Sequence, residues 1–275
     1  MVIARVFPMK TMASPFDELV CYDKPSDSLP YFDEVHVSCA FTYDMIRAER
    51  LARQWSHTGR PVKLGGPAYN DRGGEFTPGL YLNLGYTITS RGCNNHCWFC
   101  DAWKREGKLR ELEIKDGWNI LDNNLLGCSE NHIRKVFNML LLQDRRPMFT
   151  GGLDSKLLKP WHVELLKSVR TQRMYFAYDT PDDLDPLIEA GKLLIGGGFN
   201  IASHILCCYV LIGYPDDTMT SAEKRLMQTI NAGFVPFAML YRDKDGIVNA
   251  NWKRFQREWV RPSIIFSRLK GAQFA

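Results

Sequence analysis

Apolar positions along the chain recur with two periods, and the alternation between them predicts an α/β protein. In the first 75 residues, β-like runs occur at Val2 to Phe7, Leu19 to Tyr22 and Val35 to Phe41. They are followed from Tyr43 to Ser56 by a segment in which Ala48, Leu51, Ala52 and Trp55 fall at i, i+3, i+4 and i+7, one apolar face of a helix. Gly59-Arg60-Pro61 ends that helix and Val62-Lys63-Leu64 runs into Gly65-Gly66-Pro67. Strand, helix, strand predicts parallel strands joined by a crossover helix. Residues 67–79, with three Gly and two Pro, predict a linker or covering loop.

From Leu80 the alternation lengthens. Leu80 to Thr89 predicts a strand that delivers a cysteine-rich loop, and a second β-like piece lies near Trp118 to Leu121. Asn131 to Leu142 carries Ile133, Val136, Phe137, Leu140 and Leu141 on one helical stripe, with Ser129 as its cap. A short strand at Pro147 to Thr150 ends in Gly151-Gly152. It is followed by a helix at Trp161 to Thr171 and a strand at Met174 to Tyr178 that ends at Asp179. A helix at Asp182 to Ala190, an apolar piece at Leu193 to Gly196 and a strand at Ile205 to Ile212 come next. Thr220-Ser221-Ala222-Glu223 reads as a capping box for a helix closed by Gly233, and Phe234 to Tyr241 is the last strand. Strands that end in Gly, Asp or Pro and lead into helices predict a β/α repeat closed or partly closed into a barrel, whose functional groups lie at the C-terminal strand ends. The expected organisation is a small α/β domain over 1–75, a barrel over 76–250 and a basic segment over 251–275.

Composition narrows this only a little. With 275 residues, 45% hydrophobic and 24% charged, the chain is an ordinary globular one with a core that needs no disulfide staples. Met1 to Pro15 has no continuous apolar core of a secretory signal. The most apolar stretch, Ile205 to Gly213, is about half of the roughly 20 residues that span a bilayer. The expectation is a cytoplasmic protein with no membrane partner. The formal charge of +4 names no partner, although Lys253, Arg254, Arg257, Arg261, Arg268 and Lys270 stand against Glu258 alone between Trp252 and Lys270. A solvated basic face accounts for that segment; a nucleic-acid partner is the alternative it leaves open.

Of eight cysteines, Cys21, Cys39, Cys128, Cys207 and Cys208 are scattered among apolar runs and read as small core residues. The other three are packed into Arg91-Gly92-Cys93-Asn94-Asn95-His96-Cys97-Trp98-Phe99-Cys100. Structural zinc takes four protein ligands, usually as two Cys-x2-Cys pairs, and no second pair exists here; His96 lies in a tight turn where it reaches the same ion poorly. A 4Fe-4S cluster accepts thiolates at three irons and leaves the fourth open, so three thiolates favour iron and sulfur. A second cluster from Cys128, Cys207 and Cys208 is disfavoured, because adjacent strand residues face opposite ways.

Cys93-x3-Cys97-x2-Cys100, with the aromatic Phe99 before the third cysteine, resembles the signature of the radical S-adenosylmethionine (SAM) enzymes. The resemblance implies a partial (β/α)6 TIM-like barrel over about residues 80–240. It further implies a 4Fe-4S cluster on Cys93, Cys97 and Cys100 that binds SAM at its open iron, and an external flavodoxin- or ferredoxin-like electron donor. One electron then splits the sulfonium into methionine and a 5′-deoxyadenosyl radical that starts chemistry on a substrate the sequence does not identify. Phe99 would pack near SAM. Gly151-Gly152 is similar to the family's Gly-Gly-Glu element at the methionine amino group, but Leu153 follows the glycines and the carboxylate role passes to Asp154. Asp179 would reach ribose hydroxyls or substrate, and Gly213-Tyr214-Pro215-Asp216-Asp217-Thr218 is similar to the family's Gly-x-Pro-x-x-Thr turn near the adenine. Plain turn and capping chemistry explains the same glycines and Asp179 equally simply. Val35 to Pro67 resembles the later part of a cobalamin-binding domain. That branch's Asp-x-His-x-x-Gly motif is absent, so the expectation is a shortened domain without cobalamin. The segment between Arg105 and Leu126 is loosely similar to that of methylthiotransferase-like members. The alternative to an enzyme is a non-catalytic iron-sulfur or zinc module that binds nucleic acid through the basic C-terminal segment.

Overall fold

The computed structural model describes residues 1–243 and 245–272, with side chains as far as Ser267. The chain divides into two compact units: Met1–Gly117 with the residues next to Gly246, and Trp118–Asp243 with the residues from Ile247 on. The sequence reading placed this boundary near residue 75.

The first unit is built on four short strands, β1 (Ile3–Val6), β2 (Val20–Cys21), β3 (Glu34–Ser38) and β4 (Val62–Gly65), in the order β2-β1-β3-β4. All three pairings are parallel, and the expected crossover helix, α1 (Met45–Ser56), joins β3 to β4. Side-chain alternation along a strand separates two faces. Ala4, Val6, Val35 and Val37 meet Ala48, Leu51 and Trp55 of α1 in one core. Trp55 is fully enclosed, and its indole N–H donates to the Asp23 carbonyl at 2.9 Å.

The opposite face carries Arg5, His36 and Lys63 side by side in register. Their charges are matched locally: Glu34 is bound by Lys63 (2.8 Å) and by His36 Nε2 (2.7 Å), His36 Nδ1 meets the Tyr81 hydroxyl, and Arg5 pairs with Asp17 at 2.5 Å. Parallel sheets usually bury both faces under helices. Here a self-paired polar face takes the place of the second layer.

The expected strand from Leu80 to Thr89 is not formed. Turns closed by Leu80 N–H to Thr77 O and by Tyr86 N–H to Asn83 O, with Gly85 in the left-handed region (φ 95°), occupy most of it. Only β5 (Tyr86–Thr87) and β6 (Ser90–Arg91) remain extended. A short helix the pattern did not show, α2 (Ala102–Glu106), and then β7 (Arg110–Glu111) complete this unit, with β7 antiparallel to β6.

In the second unit β8 (Asn119–Ile120), β9 (Met148–Phe149), β10 (Arg173–Ala177), β11 (Leu206–Ile212) and β12 (Val235–Leu240) lie in the order β12-β11-β10-β9-β8, all parallel. Helices α3 (Glu130–Leu141), α4 (Pro160–Ser168), α5 (Leu184–Gly196) and α6 (Met219–Asn231) each follow a strand, giving the β/α repeat expected. The parallel sheet is open; no closed barrel is formed among the described residues. Helices α7 (Ala250–Glu258) and α8 (Pro262–Ala272) carry the basic segment, of which the Arg268 and Lys270 side chains lie outside the described residues.

Ser129 caps α3 as read, accepting from His132 N–H at 3.2 Å. Two local expectations are corrected. Leu193 to Gly196 is the last turn of α5, which runs on through the buried Gly191, where a Cβ would stand 2.0 Å from the Ala232 carbonyl oxygen: the glycine serves close packing and does not end the helix. The cap of α6 is Thr218, which accepts from Ser221 N–H at 3.1 Å, and not Thr220.

One face of the second sheet, with Phe149, Met174, Phe176, Cys208, Val210 and Ile212, is almost wholly enclosed. There Phe137 of α3 stacks on Phe149 at 5.6 Å and Phe234 meets Phe176 edge-on at 5.3 Å. Truncating Phe176, 0% exposed, opens a cavity in this layer. Phe176→Ala is therefore expected to cost ~3–5 kcal/mol in urea unfolding followed by far-UV circular dichroism.

Candidate functional site

The cysteine loop is an excursion whose two ends are tied together. β6 and β7 pair Ser90 with Glu111 and Arg91 with Arg110, and Leu112 N–H donates to Thr89 O at 2.9 Å. Just inside this base, Gly92 is held in the left-handed region (φ 80°), and a Cβ there would stand 2.4 Å from the Lys108 carbonyl oxygen. Glycine is required by both angle and space. The Gly92 N–H donates to Glu106 Oε2 at 3.0 Å, and Cys93 N–H donates to Gly107 O at 3.2 Å. Glu106 is 3% exposed, and its other oxygen takes Arg105 at 2.9 Å with Arg91 at 3.8 Å. Across the loop, Asn94 Oδ1 accepts from Leu109 N–H at 3.3 Å. The sequence reading passed over Glu106; its only signal is an acid six residues beyond the last cysteine, directly after Arg105.

Within the loop, Cys93, Cys97 and Cys100 are half-buried thiols outside any disulfide. Cys100 N–H donates to Cys97 O at 3.1 Å, and the Trp103 indole donates to the same carbonyl at 3.0 Å. His96 packs edge-on against Trp103 at 4.8 Å, and so belongs to the loop's packing. Phe99 meets Trp98 edge-on at 5.4 Å, and Trp98 is half exposed. Sulfur is approached by backbone donors: Asn95 N–H lies 3.4 Å from Cys93 Sγ, and Ala102 N–H bonds Cys100. Burial raises the Cys100 thiol above its ordinary value, the Ala102 N–H opposes this, and the nearby Cys93 adds to it. Cys93, Asn94, His96, Trp103, Gly107 and Lys108 line an open cavity of about 550 Å³. No group of three or more His, Cys, Asp or Glu side chains that could hold a metal ion is assembled among the described residues. A cluster binds each thiolate at a different iron, whereas zinc draws four ligands to one point.

The remaining sequence-derived residues lie in the second unit at strand ends. Gly151 follows β9, where a Cβ would fall 2.3 Å from the Asp122 carbonyl oxygen, and Gly152 has φ 103°. Leu153, at the position of an acid in the family pattern, is 3% exposed and donates its N–H to Tyr175 O at 2.7 Å, so it fills the core. Asp154 caps the next turn, accepting from Lys156 N–H (3.0 Å) and from Asn124 Nδ2 (3.3 Å).

Asp179, past the end of β10, accepts from Leu211 N–H at 2.9 Å. It does not cap the helical turn that follows; a capping box of Thr180 and Asp183 does, and the Asp183 carboxylate accepts from the Asp179 and Thr180 N–H groups at 3.2 and 2.9 Å. Burial raises Asp179 to about 7, opposed by the Leu211 N–H.

After β11, the Gly213 to Thr218 turn is organised by the enclosed Asp217 carboxylate. It accepts from Gly213 N–H (2.8 Å) and Thr218 N–H (3.0 Å) and pairs with Arg225 at 2.7 Å. Arg225 also donates to Leu211 O at 3.0 Å and lies over the Tyr214 ring at 5.2 Å. The sequence reading missed Arg225, because nothing at the level of pattern separates it from a surface residue of α6.

Compared with known proteins, the chain matches no family model and no curated protein. No helix among the described residues is long and apolar enough to cross a membrane.

Removing the Glu106 side chain leaves two arginines and the Gly92 N–H without their buried acceptor. Glu106→Ala is expected to cost ~3 kcal/mol or more and to speed amide hydrogen exchange over residues 92–107, read by mass spectrometry. For Asp179 the folded-state value of about 7 lies above the unfolded carboxylate value of ~3.9. The folded chain therefore binds the extra proton between these limits, and stability falls as pH rises through that window. Asp179→Asn should flatten this fall in urea titrations from pH 4.5 to 7.5, and an unchanged slope would show that Asp179 ionises normally.

Proposed function

We propose that the chain is a radical SAM enzyme whose 4Fe-4S cluster is held by Cys93, Cys97 and Cys100. The observation that carries the reading is the Cys-x3-Cys-x2-Cys loop, ending in Phe99-Cys100 and closed at its base by β6, β7 and the buried Glu106. The donor set suits such a group: three half-buried thiols on one loop, with backbone N–H groups directed at Cys93 and Cys100, the arrangement that steadies cluster thiolates. When bound, the cluster would supply the electron that cleaves SAM to methionine and a 5′-deoxyadenosyl radical.

The chain's own residues then divide the remaining work. The Gly151-Gly152 backbone, free of Cβ hindrance, offers its polar groups to the methionine end, and Asp154 lies next to it. Phe99 packs beside the cofactor. Asp179, past the end of β10 and held by the Leu211 N–H, would meet ribose hydroxyls or substrate. The parallel β/α repeat of the second unit supports a partial (β/α)6 barrel as the finer description of the fold. An external flavodoxin- or ferredoxin-like protein is the electron donor this reading requires.

Anaerobic reconstitution with iron and sulfide tests the reading. It is expected to give a brown protein with about four irons per chain, which forms 5′-deoxyadenosine from SAM under reductant. A variant with Cys93, Cys97 and Cys100 all changed to Ala should form none. Wild-type protein that forms no more than this variant would overturn the proposal. A colourless zinc protein whose nucleic-acid binding falls steeply with salt would favour the non-catalytic module instead.

A further inference from the structure

Residues 71–75 belong to the stretch whose Gly and Pro content predicts a covering loop, and the proposed cofactor roles leave them unused. They are strapped along the β6–β7 ribbon. Arg110 Nη2 donates to the Arg72 and Gly73 carbonyls at 3.0 and 2.9 Å, and Arg91 Nε donates to the Gly74 carbonyl at 3.1 Å. Gly73 N–H closes the turn on Asp71 Oδ1 at 2.9 Å. Gly73 itself is in the left-handed region (φ 66°), and a Cβ there would stand 2.8 Å from Arg91 Cζ, so the strap lies flat only with glycine at this position. The strap brings the Arg72 side chain to the cysteine loop: a Cβ on Gly107 would have Arg72 Nη2 as its one neighbour within 4 Å, at 3.9 Å. Gly107 is a wall of the cavity of about 550 Å³ whose other walls are Cys93, Asn94, His96, Trp103 and Lys108. Most cations near this cavity are already matched: Arg105 and Arg91 by Glu106, Lys104 by Asp101 at 3.2 Å, and Arg110 by carbonyls. Among the described residues, the Arg72 guanidinium, the Lys108 ammonium and the His96 ring nitrogens meet no hydrogen-bond or ion-pair partner, and Asn94 engages only its Oδ1. No acid lines the cavity. Cations gathered on one wall without a counter-charge repel, and a bound anion relieves this.

We propose that this cavity is a binding site for a phosphate-bearing small molecule, a site that does not depend on the radical SAM reading. The Arg72 guanidinium presents a planar fork of N–H donors that matches two phosphate oxygens, and Lys108 adds a point charge. Asn94 Nδ2 and an imidazole N–H of His96 supply neutral donors for the remaining oxygen. The cavity is larger than a bare phosphate and lies in the range of small-molecule sites, so the ligand carries a body as well as a charge; the Trp103 ring is the one large apolar wall for it. A divalent cation finds no carboxylate there. Of the three loop thiols only Cys93 lines the cavity, which places it to one side of the three sulfurs. Binding ties the strap at Arg72 to the loop at Asn94, His96 and Lys108, so the ligand closes residues 71–75 onto the cysteine loop.

Isothermal titration calorimetry of the full chain purified without iron, with phenyl phosphate as the probe, tests the site. Saturable binding to a single site is expected. Arg72→Gln and Lys108→Gln should each weaken it about tenfold, the worth of one charge-assisted hydrogen bond. Both side chains are exposed and without partners, so neither substitution removes a contact of the fold. Lys115→Gln removes a cation of the same unit that is paired with Glu113 at 2.6 Å, and should leave the affinity unchanged. Binding that does not saturate, an affinity unchanged in Arg72→Gln and Lys108→Gln, or an equal loss in all three variants overturns the site. Benzoate offers a carboxylate on the same ring and should bind about tenfold more weakly; equal or tighter binding overturns the assignment to phosphate. Repeating the titration after reconstitution with iron and sulfide separates the site from the cluster. Phenyl phosphate binding retained beside an assembled cluster supports the site, and binding lost on assembly overturns it. A chain that assembles no cluster and still binds phenyl phosphate leaves the site standing while the radical SAM reading falls.

Discussion

Parallel strand pairing is the constraint on which both units depend. A parallel ladder is normally hidden from water on its two faces, so every strand needs a partner layer on each side. The second unit meets this with apolar residues at nearly every position of β10 and β11, Phe176 and Cys208 under the helices and Tyr175 and Cys207 on the other side. The first unit meets it differently. One helix covers Val35 and Val37, while Glu34, His36, Lys63, Arg5 and Asp17 satisfy one another on the opposite side. Charges paired in this way stabilise only modestly where they remain partly exposed. What they provide is a sheet face that needs no second helix.

The cysteine loop depends on other forces. It has few buried apolar side chains of its own, and its shape comes from main-chain hydrogen bonds at its base and from one enclosed carboxylate. Glu106 offers two oxygens to a backbone N–H and two guanidinium groups, and with so many donors around it a buried carboxylate is tolerated. Gly92 is the matching concession in the backbone, since the Lys108 carbonyl leaves no room for a side chain. A loop fixed at its ends and held by backbone within can present three sulfurs without spending core volume on them.

How far the sequence was legible follows from which forces leave a periodic trace. Trp55, Phe137 and Val210 sit in long or strongly patterned segments, so α1, α3 and β11 were visible from spacing alone. Ser129 was visible because a cap has a residue-type signature. The Leu80 to Thr89 strand was misread because its apolar residues pack in turns, and Gly85, the residue that breaks the extension, looks like any other glycine in a run. Glu106, Arg225 and Asp217 left no periodic trace. Their importance comes from burial and from the partners the fold gives them, and neither repeats along the chain. The three cysteines stood out through spacing, yet spacing does not specify what holds the loop that carries them.

Leu153 shows how the two kinds of information combine. By resemblance its position calls for an acid, and the leucine there weakens the likeness. In the fold its side chain is core and only its N–H is engaged, by Tyr175 O on the neighbouring strand. An acid at that site, where Leu153 is 3% exposed, would bury a charge at a cost of several kcal/mol. The polar groups at this strand end lie just outside the core: the Gly151-Gly152 backbone, Asp154, and the Tyr209 hydroxyl bound to Thr150 O. The departure from the pattern at Leu153 follows from how this sheet packs.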